Sequence, residues 1–431
     1  MAEDPIPEPG EPRLSDVAER FMRLVRVGSQ SDPEHADRTP STERQRHMAE
    51  VLGEELRSVG CEDVSVDEHA YVLGTLPASP GAEGLPALGL CAHIDTAPDA
   101  PGEGVSPHVV HYEGGDLVAG VVAGEPVATS PAQVPDLEQF VGQDIICSDG
   151  TTLLGADDKA GVAEVCSLIA RLHDDRTLPH PELRVAFVPD EEIGHGASLL
   201  DLERFGARWC YTVDGETLGE VNYETFNAAE ANVLIHGVMI HPGSAKGVMV
   251  NAITLAGEFL DLVPAAERPE YTEGYEGFYH PTQVSGTAAE ARLQLIVRDH
   301  DAGAFAHRAE VLRQIAAFMN GRYGEGTVEV EVREEYRNMA ECFDDCPFLI
   351  TNALDANREV GLDARCVAVR GGTDGSQLSL RGLPCPNLAT GGYNAHSVRE
   401  FVPVRSLEIT VDVLERLVAK FAVPQTGVLE P

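Results

Sequence analysis

The 431-residue chain is too long for one ordinary hydrophobic core, and its 43% apolar content fits globular folding, so two domains are expected. A formal charge of -40, from 71 acidic against 31 basic residues, gives a surface that repels phosphate backbones and anionic headgroups, which argues against nucleic acid or a membrane as partner. Nine scattered cysteines without a CxxC read as reduced core thiols, the acidic start carries no secretion signal, and no stretch approaches a membrane span, so a cytoplasmic setting is expected.

After an acidic leader over 1–13, expected to be disordered, Val17, Phe21, Leu24 and Val25 fall on one helical face. A second helix is bracketed by Thr39 as N-cap, Pro40 at its first position and Gly60 just past its end. Residues 64–66 and 70–75 read as short strands, and the apolar run from Leu85 to Ile94 as a buried one. That run ends in Cys91-Ala92-His93-Ile94-Asp95-Thr96, where His93 and Asp95 share a face and the aspartate can orient the imidazole. A surface His-Asp pair at a strand end carries the same two residues. From 97 to 149 the turn-rich composition predicts antiparallel ribbon and loop.

The stretch Leu153-Leu154-Gly155-Ala156-Asp157-Asp158-Lys159-Ala160-Gly161 sets two adjacent carboxylates between glycines, ahead of an apolar helical pattern that runs to Leu172. A carboxylate with diverging oxygens can bridge two cations, and oxygen and imidazole ligands suit zinc, manganese or cobalt; an Asp-Asp N-cap uses the same pattern. The strand Leu183 to Val188 then runs into Asp190-Glu191-Glu192, three acids that must face either water or cations. With cations, one glutamate ligates while its neighbour acts as general base. The strand Trp209 to Val213 also stops at an acid, Asp214. Ligands collect at the carboxyl ends of strands in open α/β sheets, and four signals share that edge.

Between 226 and 337 the pattern changes to strand, helix, strand, strand, helix, strand, a small α+β insertion with its own core. This divides the chain into a catalytic domain over 14–225 and 338–431 and a lid over 226–337. After the insertion follow a helix from Phe348 to Asn357, a strand from Cys366 to Arg370, a glycine loop to Gly375 without the GxxxxGK[ST] spacing of a phosphate loop, His396 in a polar turn with Glu400 near it, and a closing helix from Ser406 to Phe421.

The strings HIDT at 93–96, GADDKAG at 155–161, PDEEIG at 189–194, TVDG at 212–215, HPGSAKG at 241–247 and RGGTDG at 370–375, followed by the turn to His396, occur in an order and spacing that resemble the tripeptide-aminopeptidase branch of the dinuclear zinc metallopeptidase family M20. The resemblance covers nearly the whole chain after the leader. It implies a mixed-sheet α/β/α catalytic domain with an inserted βαββαβ lid, two Zn2+ per subunit with Co2+ or Mn2+ as substitutes, and short peptides with a free N-terminus as substrates. Residue by residue, it implies that His93, Asp157 and Asp214 hold one zinc and Asp157, Glu192 and His396 the other. Glu191 would take the proton of the attacking water, Asp95 would orient His93, and His241 would stabilise the oxyanion. Arg298, at a strand end, is placed to grip a substrate carboxylate, with a solvated arginine as the alternative, and Asn227 and Arg370 are further candidate substrate contacts. A cis peptide between Asp157 and Asp158 is also implied. Glu216 departs from the pattern, where a small residue is expected, and puts peptide preference in question. A deacylase or carboxypeptidase of the same plan, or a metal-binding protein without catalysis, stays open, and an exposed lid strand edge offers a route to a homodimer.

Overall fold

The computed structural model of the chain describes residues 14–425, so the leader over 1–13 lies outside it. The described residues up to Asn222, together with Cys342–Val367 and those from Thr373 onward, form one compact unit; Tyr223–Glu341 with Ala368–Gly372 form a second.

The first unit begins with α1 (Asp16–Leu24), which buries Val17, Phe21 and Leu24 along one stripe. Helix α2 (Glu43–Ser58) starts later than its sequence suggests, with Thr42 in the N-cap position. Thr39 and Pro40, joined by a cis peptide, lie in the turn before it, and the next residue, Ser41, commits its N–H and hydroxyl to a distant carboxylate instead of to the helix. Gly60 follows the helix with a φ of 100°, as the stop signal requires.

Then come β1 (Glu62–Val66), β2 (Val72–Leu76), β3 (Leu88–His93), β4 (His108–Tyr112), β5 (Leu117–Val122), β6 (Glu125–Thr129) and β7 (Gln143–Cys147). Next are α3 (Ala156–Asp174), β8 (Leu183–Val188), α4 (Leu202–Phe205), β9 (Trp209–Gly215) and β10 (Glu220–Asn222). In the second unit lie β11 (Asn227–His236), α5 (Ala252–Leu262), β12 (Phe278–Gly286), β13 (Glu290–Asp299), α6 (Ala302–Tyr323) and β14 (Val328–Tyr336). The first unit resumes with α7 (Phe348–Glu359), β15 (Arg365–Cys366), α8 (Asp374–Leu380), β16 (Asn387–Ala389), β17 (Phe401–Pro403) and α9 (Val404–Lys420).

Eight strands of the first unit make one sheet in the order β1-β2-β8-β3-β9-β16-β10-β15. Its centre, from β8 through β3 and β9 to β16, is parallel, while β2 against β8 and β10 against β16 are antiparallel, so the sheet is mixed. β3 and the central part of β9 are buried throughout, which explains their continuous apolar sequences. Helix α3 packs on β3 and β9 with α1 and α9 beside it, and Tyr211 reaches α7 through its hydroxyl. On the other face Cys91, Ala186, Val188 and Cys210 pack against Phe205 of α4 and Leu378 of α8. This is the α/β/α layering that the sequence suggests. The turn-rich segment holds β4 and β7, of which β7 pairs with both β4 and β17 in a three-stranded sheet, and the hairpin of β5 and β6.

The second unit is a four-stranded antiparallel sheet, β12-β13-β11-β14, whose Val233, Leu293 and Leu295 share a core with Phe259 of α5 and Leu312 of α6. The expected strand from Cys366 to Arg370 is a correction: only Arg365–Cys366 pairs in a sheet, because residues 368–372 leave it to join the second unit. Among the described residues no helix is long and apolar enough to cross a membrane.

Candidate metal centre

The parallel neighbours β8, β3 and β9 end on one edge of the sheet. His93 pairs with Val188, the last residue of β8, and Cys91 with Thr212, which brings Asp214 level with His93. The start of α3 and the turn before β17 supply the rest of the site. There His93 Nε2 lies 2.9 Å from Asp157 Oδ1 and 3.4 Å from Asp214 Oδ1. His396 Nε2 lies 3.3 Å from Asp157 Oδ2 and 2.9 Å from Glu192 Oε2. Asp157 therefore offers one oxygen to each imidazole, the geometry of a bridge. Backbone angles at Asp157 and Asp158 leave the helical region, so the regular helix starts after them, and the peptide between them is cis, as the resemblance implies.

Among the described residues, two groups of three side chains bring ligand atoms within 4.8 Å of one another: His93 with Asp157 and Glu192, and His93 with Asp158 and Asp214. Asp158 is an unforeseen member. It is fully buried, and its oxygens take the N–H of His93 at 3.0 Å and of Gly161 at 3.3 Å, so it ties α3 to β3. A direct observation favours cations here: Glu192 Oε1 is buried and has no hydrogen-bond partner among the described residues. Carboxylate oxygen and imidazole nitrogen are the donors that zinc, cobalt or manganese take.

Charges explain how these groups coexist. Burial pushes Glu192 up to about 7 and Asp214 up to about 6, and it raises Glu191 well above the usual carboxylate range. Asp157, which burial alone would raise, is held well below that range by His396 and His93. Hydrogen bonds to Asp157 and Glu192 push His396 up to about 11. Burial pulls His93 down, but Asp214, Asp157 and Asp95 outweigh it. Both shifts favour the charged imidazole beside these carboxylates, a place that metal ions would take over.

Asp95 links two elements. Its backbone oxygen lies 3.1 Å from His93 Nδ1, and its carboxylate accepts the N–H of Glu191 at 3.0 Å and of Glu192 at 3.2 Å. The turn carrying those glutamates is held from behind by Asp190, a buried residue with a φ of 58°. Asp190 accepts from Ser41 N at 2.7 Å, Ser41 Oγ at 2.5 Å and Gln45 Nε2 at 2.5 Å, while its own N–H donates to Gln45 Oε1 at 2.9 Å. Asp374 of α8, pushed up to about 7 by burial, accepts the N–H of Ala197 at 2.6 Å; any side chain at Gly196 would collide with it, which requires glycine there. Glu400 accepts the N–H groups of Leu154, Gly155 and Asp157. Sequence reasoning gave Asp190, Ser41, Gln45 and Asp374 no role, although the acid run at 190–192 contains Asp190 and the string RGGTDG contains Asp374. Glu216, raised by burial and by Asp157, lines a cavity of about 30 Å³ next to Asp157 and Asp214.

The remaining sequence candidates lie in the second unit. Arg370 donates to Gly274 O, Glu276 O and Thr272 Oγ1 and stacks over the rings of Phe226 and Phe278, so its guanidinium pins the loop before β12. Asn227 bonds Asp299 O, His300 O and the N–H of Asn338, and so ties strand ends together. Arg298 donates to Ala229 O and pairs with Glu335 at 3.0 Å. His241 is exposed and accepts the N–H of Gly243 at 3.1 Å.

Residues 223–327 match the family model described as the peptidase dimerisation domain. The chain is 44% identical to peptidase T of Aliivibrio fischeri over 94% of its length and 98% of the relative, and 42% identical to peptidase T of Caldanaerobacter subterraneus subsp. tengcongensis with the same coverage. The crystal structure of aminopeptidase PepT from Bacillus cereus superposes with a TM-score of 0.73, covering 95% of this chain and 98% of that one at 24% identity. A dinuclear metal-binding peptidase from Bacillus subtilis shares the fold with a TM-score of 0.64 at 14% identity, over 94% of this chain and 97% of that one. Fold and site together define a metal-dependent peptidase with an inserted dimerisation domain. Within that class, the chain belongs to the peptidase T family.

Proposed function

We propose that this chain is an aminopeptidase that releases the N-terminal residue of tripeptides at a two-zinc centre, with Glu191 as general base. The observation that carries the reading is the pair Glu191 and Glu192 on one turn, their N–H groups both held by Asp95, with His396 Nε2 set between Glu192 and Asp157. His93, Asp157 and Asp214 would hold one zinc, and Asp157, Glu192 and His396 the other. Bound there, the ions supply Lewis acidity that polarises the scissile carbonyl and lowers the pKa of a water.

Glu191 does the proton work. Its carboxylate takes a proton as the water oxygen bonds to the carbonyl carbon, and returns it to the amine as the C–N bond breaks. Asp95 keeps this residue and His93 in fixed relation through bonds to both. The match of the second unit to a peptidase dimerisation domain supports a homodimer, with His241, Arg298, Asn227 and Arg370 as candidate contributors to oxyanion and substrate binding. Burial of seven of the nine cysteines within the fold supports a reducing, cytoplasmic setting.

The test is hydrolysis of free tripeptides beside dipeptides, N-acetylated tripeptides and N-acyl amino acids, for wild type and Glu191→Gln, with zinc content measured on both. Release of the N-terminal residue from free tripeptides, lost in the variant while both zinc ions stay bound, is the expected outcome. Turnover of only the acylated compounds would move the substrate to a deacylase; a dipeptide preference would overturn the tripeptide assignment.

A further inference from the structure

Two of the proposed ligands, Asp157 and His396, lie on loops far apart in sequence, and one buried carboxylate touches the first loop while standing in the second. Glu400 is 1% exposed. Its Oε2 accepts the N–H of Leu154 at 2.8 Å and of Gly155 at 2.6 Å, and its Oε1 accepts the N–H of Asp157 at 2.9 Å. Gly155, with a φ of 81°, takes the left-handed conformation that turns these N–H groups onto one anion.

The His396 loop needs such an anchor. His396 and Asn394 are non-glycine residues with φ of 62° and 58°, a conformation that L side chains disfavour and that persists only where surroundings enforce it. The loop is pinned at its feet by paired bonds between Tyr393 and Phe401, at 2.9 and 3.0 Å. Within it, Asn394 Nδ2 donates to Arg399 O at 3.2 Å and Thr129 Oγ1 at 3.1 Å, and Glu400 N donates to Ser397 O at 3.1 Å. Glu400 thus stands at the foot of the loop that presents His396, and its side chain holds the backbone that presents Asp157.

We infer that Glu400 is a positioning residue that fixes these two loops as one preformed unit, setting the separation of His396 and Asp157 before any cation arrives. The inference rests on reading His396 and Asp157 as ligands of the metal centre. A carboxylate suits the task because all three partners are donors. A glutamine would turn its NH2 toward at least one of them and leave that N–H unpaired.

Two measurements test this. In metal-free wild type, hydrogen exchange of the segment 154–157 should be slow and should change little when zinc is added. Free exchange that becomes slow only with metal would overturn the inference, since the clamp would then be a product of binding. In Glu400→Gln, zinc affinity read by competition with a chromophoric chelator should weaken about 10- to 100-fold, and kcat should fall with KM nearly unchanged and recover in part with excess zinc. Glu400→Asp, which keeps an all-acceptor group but cannot span all three donors, should fall between the two. A Glu400→Gln protein with wild-type zinc affinity and only a lowered Tm would reduce Glu400 to a structural residue and refute the role. If Glu400→Gln does not fold, the exchange measurement on wild type decides. A wild type that binds no divalent cation would sink the metal centre, and with it the purpose of the clamp, whereas the exchange result still reads whether the clamp exists.

Discussion

Glu164 shows what a single side chain can do to a stability profile. It lies inside α3 with neither carboxylate oxygen hydrogen-bonded among the described residues, and burial raises it well above the usual carboxylate value of 4.5, with the Thr410 hydroxyl partly offsetting this. The folded protein therefore holds this proton to higher pH than the unfolded chain, which releases it above 4.5. A raised folded pKa on an acid means stability declines as pH climbs from the unfolded value toward the folded one, by about 1.4 kcal/mol per pH unit for this one group. Glu164→Met is expected to raise Tm, by more at about pH 8 than at about pH 5. Calorimetry of both proteins across that range checks it, and a gap that stays constant would mean the carboxyl is not held neutral. Nothing in the sequence marks Glu164, because an acid in a helical pattern reads as a solvated face. His93, Asp157, Glu192, Asp214 and His396 stood out because each closes a strand or sits in a glycine-flanked turn, and these residues gather in one place.

At the scale of elements, the turn after β8 depends on α2. Gln45 gives Asp190 one donor and takes its N–H, so Gln45→Leu leaves a buried carboxylate short of a bond and an N–H unpaired. The expected loss is about 1–3 kcal/mol of stability. Because the turn presents Glu191 and Glu192, kcat should also fall, with KM for a tripeptide within about twofold of wild type. A variant as stable and active as wild type would show that the turn holds itself. Long periodic elements were readable from sequence: the strand Leu183–Val188 and the helix Phe348–Glu359 follow from continuous apolar runs or one apolar stripe. β10, β15, β16 and β17 were not, since strands of two or three residues carry no period and owe their state to their neighbours. The misplaced start of α2 has a similar cause, a bond from Ser41 to a carboxylate 149 residues away.

For the whole molecule, charge and metal act together. With a formal charge of -40 and several carboxylates crowded at one sheet edge, the protein needs cations, localised or diffuse. Complete chelation of divalent ions should lower Tm, and salt near 1 M, where screening acts over only about 3 Å, should restore part of the loss. Differential scanning calorimetry checks both, and a Tm indifferent to chelation would argue against the metal centre. Length alone pointed to two domains, and the described residues form two compact units, the second of which takes in residues 368–372, which the sequence pattern left in the catalytic domain. The order of strands carries one more consequence. β16 is wedged between β9 and β10, although the entire second unit is synthesised before it. A growing chain must therefore wait with a vacant slot in its main sheet, its unpaired edges open to wrong partners, until the last segment threads in. That same segment brings His396 and Glu400, so the acidic edge of the sheet gains its second imidazole only once translation has run past the slot.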